Sequence, residues 1–176
     1  MNNHITDVFT SPSVKHSAIL AKDMGLSPFV INQNVPYFYS NPDEVYPDSK
    51  IALPIGDLFC ELRAVTSAGV KQLRNIVKQY EMETVYFKHK THEHLMFLSD
   101  GRLLELPYDQ LCVRSLNDQN GLFMNIKHSY AIIPPSIEYK MISKCNISHV
   151  PDALVDHLLA LHDNAIARGN YYDRGY

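Results

Sequence analysis

Residues 83–107, ETVYFKHKTHEHLMFLSDGRLLELP, carry alternating side chains on either side of an Asp100-Gly101 pair. Asp-Gly between two apolar runs is a strong hairpin signal, because a two-residue type I′ loop needs positive φ at both central positions. Pairing outward from that turn sets Leu98 against Leu103, Phe97 against Leu104 and Leu95 against Leu106. Directly opposed residues share a face. One face then holds Leu95, Phe97, Leu104 and Leu106 and is the expected core face, while the other holds His94, Met96, Leu98, Leu103 and Glu105.

Residues 84–90 read as a preceding strand, and the length of its connection to His94 sets its facing. A three-residue loop, 91–93, lays Val85 and Phe87 beside Leu95 and Phe97 and sends Lys88 and Lys90 to the mixed face. Loops of two or four residues would exchange every side chain between faces, placing both lysines on the apolar side, and are rejected on that ground. The expected product is a three-stranded meander over 84–107. In it His89 points with the core face, His92 sits in the turn and His94 points to the opposite side, so these three of the nine histidines do not converge. Zinc needs nitrogen ligands at about 2.0–2.1 Å in a roughly tetrahedral shell, and no metal site is expected here. His92 and His94 would share a face only if the strand ran straight through residue 92.

The length of 176 residues suits one domain, large enough to bury roughly 70% of the surface that its unfolded form exposes. Hydrophobic residues make up 45% of the chain and charged residues 20%, which is ordinary for a globular fold. Cys60, Cys112 and Cys145 lie far apart with no Cys-x-x-Cys pair, so neither a disulfide framework nor a thiolate zinc site is expected. A reducing, cytoplasmic setting is the natural expectation. No window approaches 18 consecutive apolar residues, and the first residues lack a basic segment followed by an apolar one, so no membrane partner is expected.

Helices are expected near 12–24, 67–80 and 151–168. The first begins with Pro12 after Ser11 and stops before Gly25; the second repeats Val70, Leu73, Val77 and Tyr80 at helical spacing. The third carries Leu154, Leu158, Leu161 and Ala165 on its buried side and ends at Gly169. Strands are expected at 51–53, 58–65, 122–127, 130–133 and 137–144, with a hairpin signal at Gly56-Asp57, a break at Pro134-Pro135 and a short helix over 108–116. Local hairpins among helices, with no βαβ period, imply an antiparallel α+β fold in a single domain over 1–176. Residues 27–54 hold five prolines among aromatic side chains and read as an irregular segment, and the tail 170–176, NYYDRGY, either docks by its tyrosines or frays.

Long irregular segments in compact folds are usually functional, and aromatic side chains carry much of the energy of binding where they lie exposed. Tyr37, Phe38, Tyr39 and Tyr46 are therefore the candidate partner-binding residues, and a protein is the expected partner. Lys71, Arg74 and Lys78 fall on one side of the second helix, and Lys88 and Lys90 on one face of a strand, which makes them candidate contacts for phosphate or nucleic acid. Residues 61–90 carry six basic and three acidic residues, yet the whole chain is at −3, which disfavours broad binding to a phosphate backbone.

Catalytic signatures are sparse. His89-Lys90-Thr91 is similar to one half of the paired His-x-Thr signature of the two-histidine phosphoesterases, but the second half is missing. His128 is followed by Ser-Tyr, His149 by Val-Pro, and His16-Ser17-Ala18 fails likewise. On the last helix His157 and His162 are five positions apart, about 140° around the axis, so with Asp156 and Asp163 they read as a solvated polar face. No catalytic residue, metal or cofactor is assigned from the sequence. The expected function is that of a non-catalytic interaction or regulatory protein; the alternatives are a hydrolase or phosphoesterase using His92, His94 and His89 with Glu93 or Glu105, and a nucleic-acid-associated regulator using the basic stripe.

Overall fold

The computed structural model describes residues 5–90, 92–113 and 121–167. Among these, the helices are α1 (Ile5–Thr10), α2 (Val14–Asp23), α3 (Ser67–Gln79), α4 (Gly101–Leu104) and α5 (Asp152–Ala167). The strands are β1 (Phe29–Asn32), β2 (Val35–Phe38), β3 (Lys50–Ile55), β4 (Phe59–Ala64), β5 (Val85–His89), β6 (His92–Leu98), β7 (Gln110–Cys112), β8 (Leu122–Asn125), β9 (Ser129–Ile133), β10 (Tyr139–Lys144) and β11 (Ser148–His149). They form a four-stranded sheet in the order β2-β1-β3-β9 and a seven-stranded sheet in the order β10-β5-β6-β4-β8-β7, with β11 running parallel to the end of β6. The α+β class with antiparallel sheets is therefore as expected, and the three longer helices lie within one or two residues of their expected bounds.

Local chemistry explains the main boundaries. Ser13 caps α2, its side chain accepting from the His16 N–H at 3.2 Å, and Thr66 caps α3 by accepting from Gly69 at 3.0 Å. The α3 stripe buries Leu73 completely and packs Val70, Ile76, Val77 and Tyr80 against the large sheet. Burying a leucine of this kind contributes about 1.5–3 kcal/mol. The type I′ geometry expected at Asp100-Gly101 occurs instead at Gln33-Asn34, whose φ values of 50° and 68° join β1 to β2. Residues 27–54 thus contain a hairpin, a 3-10 turn at Pro42–Glu44 and β3, rather than irregular chain alone.

Asp100-Gly101 opens a helix. Asp100 is the N-cap of α4, its carboxylate accepting from the Arg102 N–H at 2.9 Å, and Leu103 turns into the core. Aspartate serves helix caps as readily as hairpin turns, and the turn reading of this pair does not hold. The meander expected over 84–107 accordingly loses its third strand. The partners of β6 are β4 on one side and β5 and then β11 on the other. The hairpin signal at Gly56-Asp57 also fails, because the chain there leaves the small sheet and enters the large one. The expected helix over 108–116 is replaced by β7 at its start, and its remainder lies beyond residue 113, outside the described residues. The tail 170–176 lies outside them too.

The largest correction concerns register. His89 pairs with His92, Phe87 with His94 and Val85 with Met96, so β5 and β6 are joined by a two-residue connection, the loop length that the sequence argument rejected. Lysine positions mark the outer face of a strand only where one side of the sheet is buried and the other wet. The large sheet is buried on both. One face, with Val85, Phe87 and Met96, packs toward α1, α2 and the small sheet; the other, with Leu62, Leu95 and Phe97, lies under α3, α4 and α5. When both faces are apolar, alternation ceases to mark the core side. Lys88 stays exposed on the second face, beside the carboxylate of Glu93.

Candidate active site

Because β6 runs straight through residue 92, His92 and His94 point to one face, and the register adds Phe87 and His89 from β5. On the other flank Arg63 of β4 opposes His94 and Glu61 opposes Met96, while Asn125 of β8 opposes Glu61. Tyr139 of β10 opposes His89. Four strands thus deliver three imidazoles, a carboxylate, a guanidinium and a phenol to a single surface. The ring centroids confirm the gathering: His89 to His92 is 6.0 Å, His92 to His94 6.5 Å, and His94 to Tyr139 5.9 Å. The expected scattering of these histidines is overturned.

The innermost part is a buried relay. His94 is 4% exposed, Glu61 1% and Asn125 5%. His94 Nδ1 lies 2.7 Å from Glu61 Oε1, and the Asn125 side chain donates to Glu61 Oε2 at 2.6 Å. The Asn125 carbonyl in turn accepts from Gln110, so that a chain of four side chains ends at one imidazole. The His94 ring stacks on Phe87, with centroids 4.9 Å apart and planes within 6°. With Nδ1 held by Glu61, the free atom is Nε2, which is hidden from solvent and has no hydrogen-bond partner. Arg63 Nε is hidden and unpartnered in the same way. Buried polar atoms are nearly always satisfied, so each of these two has room in its bonding for an ordered water or a bound group.

The outer part faces solvent. His89 and His92 are half-buried; His89 stacks on Tyr139 at 4.6 Å and bonds Glu138 at 3.1 Å, while Lys90 bonds the other oxygen of Glu138 at 2.8 Å. Hydrogen bonds from Lys90 and His89 hold the Glu138 carboxyl below its usual range. Burial lowers the pKa of His92, and Arg63, His94 and His89 lower it further, so His92 is unprotonated at neutral pH. Burial raises the Tyr139 phenol, which therefore stays protonated well into the alkaline range. Among the described residues no group of three or more His, Cys, Asp or Glu side chains is arranged to hold a metal ion.

The carboxylates expected beside the histidines are elsewhere. Glu93 points to the opposite face, where Arg74 grips both its oxygens and Tyr86 donates to it; burial would raise its pKa, but these bonds outweigh it and hold the carboxyl low. Glu105 is exposed at the end of α4. Glu61, the carboxylate in place, is not among the residues singled out from the sequence. Its signal was a lone acid in the apolar run Phe59–Ala64, two positions from Arg63 and hence on the same face. Cys60 itself points away and is buried, its thiol pushed up to about 12 by burial, as suits a small core side chain.

The other candidate residues are dispersed. Phe38 is 65% exposed on the edge strand β2 and Tyr46 58%, whereas Tyr37 is half-buried with its hydroxyl donating to the Glu44 carbonyl, and Tyr39 lies in the core under the Lys22 ammonium. Tyr39 is thus withdrawn from any surface. Lys71 and Lys78 are exposed on α3 and Lys88 on β5, while Arg74 is engaged by Glu93 and Lys90 by Glu138. On α5, Asp152 and Asp156 pair with Arg102, His157 bonds the Val113 carbonyl, and His162 meets the edge of Tyr108. Among the described residues no helix is long and apolar enough to cross a membrane.

Compared with known proteins, the chain matches no family model, and no curated protein is detectably similar to it.

Proposed function

We propose that this protein is a hydrolase in which His94 serves as general base. The observation that carries the reading is the Asn125–Glu61–His94 relay, which fixes the imidazole by Nδ1 and leaves Nε2 buried, unpartnered and beside two further histidines. A carboxylate behind an imidazole sets its tautomer and stabilises the imidazolium formed when it accepts a proton. In the tautomer with hydrogen on Nδ1, the lone pair lies on Nε2, where a water can surrender its proton as it attacks an ester. His92 stays uncharged and so does not repel the developing imidazolium, and the Tyr139 hydroxyl is a donor for a departing oxygen. Ionisable groups clustered on one face, with His92 and Tyr139 shifted in their titration, are a common setting for acid–base chemistry.

The test is hydrolysis of p-nitrophenyl acetate and p-nitrophenyl phosphate by the native chain and by His94→Gln. Removing a general base is expected to lower the rate on the substrate that is turned over by at least about 100-fold. Native protein inert toward both esters, or a His94→Gln variant as active as native, would end this reading.

A second reading has its own support. Phe38 and Phe29 have ring centroids 4.4 Å apart, Tyr130 lies 5.9 Å from Phe29, and Phe29 and Tyr130 line a cleft of about 780 Å³ where the chain passes between sheets. With Val35 and Tyr46 also exposed, this edge of the small sheet suits binding of a protein partner. Phe38→Ala combined with Tyr46→Ala should weaken capture of such a partner at least tenfold with the melting temperature unchanged. Undiminished capture would remove this surface from consideration.

A further inference from the structure

We propose that the group bound at the His94 site is a phosphoryl ester, with Arg63 anchoring its non-bridging oxygens. The inference rests on the hydrolase reading and adds the class of substrate. Arg63 opposes His94 on the shared face, and among the described residues it makes no ion pair. Its Nε–H is hidden from solvent with nothing to donate to. The nearest carboxylate in register is Glu61, and its two oxygens are occupied by His94 and Asn125. An arginine without an ion pair among the described residues, on a strand position opposite an imidazole whose Nε2 is itself unpartnered, suits an acceptor that brings negative charge with it. A planar guanidinium binds two oxygens of a phosphate at once, and a neutral carboxylic ester offers it no such fit. The surroundings agree: the carboxylate of Glu138, near the same face, is already engaged by His89 and Lys90.

The chemistry balances without any further reagent. A water oxygen forms the new bond to phosphorus as its proton passes to His94 Nε2. The bond from phosphorus to the leaving oxygen breaks, and that oxygen takes the electron pair. The imidazolium then returns the proton to the leaving oxygen, regenerating the base and releasing an alcohol and inorganic phosphate. Arg63 is a binding residue in this scheme, since it touches the transferred group.

Inorganic phosphate is the probe. In the native chain, phosphate should move the imidazole nitrogen resonances of His92 and His94 and compete with p-nitrophenyl phosphate. Arg63→Met should weaken phosphate binding and raise KM for p-nitrophenyl phosphate by at least tenfold, with Arg63→Lys intermediate. Native protein whose histidine resonances ignore phosphate, or an Arg63→Met variant that binds it as well as native, would overturn the proposal; the first result needs no variant to fold. The two readings fail separately. Turnover of the acetate ester with no response to phosphate would leave the hydrolase standing and remove the phosphoryl group, whereas phosphate binding through Arg63 with neither ester cleaved would do the reverse.

Discussion

Glu61→Ala is expected to destabilise the fold by about 2–6 kcal/mol, roughly 1–3 kcal/mol for each of two buried donors left without an acceptor. The carboxylate has almost no contact with water and accepts from two donors, His94 and Asn125. Alanine would leave both donors buried and facing nothing. Denaturation by urea measures the loss. If the relay acts as a unit, the pair Glu61→Leu and His94→Phe should cost less together than the sum of the two single changes, by at least about 1 kcal/mol. Strict additivity would mean that the two side chains are stabilised independently and that the relay has no energetic identity.

Phe87→Ala should cost a similar amount, about 3–5 kcal/mol, because the ring is fully buried and its removal leaves a void in a close-packed interior. Phe87 lies where the inter-sheet core meets the site: one side of its ring faces Phe9 at 6.2 Å, and His94 stacks on it at 4.9 Å. Phe87→Leu, which keeps most of the apolar volume, should cost less than half as much. Both variants should shift the His94 ring-proton resonances, since each removes the ring current above the imidazole. A Phe87→Leu variant with native His94 shifts would show that the stack is absent in solution.

How much of this was legible in the sequence depended on the range of the interactions involved. The helix over Ser67–Gln79 was readable because its apolar stripe and its cap are local, and so was the helix from Asp152. Asp100-Gly101 was ambiguous by nature: the same dipeptide suits a tight turn or a helix start, and what decided was Leu103 finding space in the core beneath α5. The histidine cluster was misread for a different reason. Facing was inferred from where the lysines pointed, and Lys88 and Lys90 lie near the hairpin tip, where both faces reach water and charge carries no information about the core side. Glu61 could not be matched to His94 and Asn125 from sequence, since 33 and 64 residues separate it from them. Only the order of strands in the large sheet brings them together.

That order also bears on how the chain is made. β4 needs β6 on one side and β8 on the other, and its Ala64 pairs with Leu122. At about 5–20 residues per second, the nascent chain waits roughly 3–12 s between emergence of the two. During that interval the growing polypeptide presents an apolar strand with one side open, the kind of edge that invites a neighbouring chain. Messages truncated between these points should therefore yield aggregates, and a chaperone that shields strand edges should act on this protein while it is still being translated.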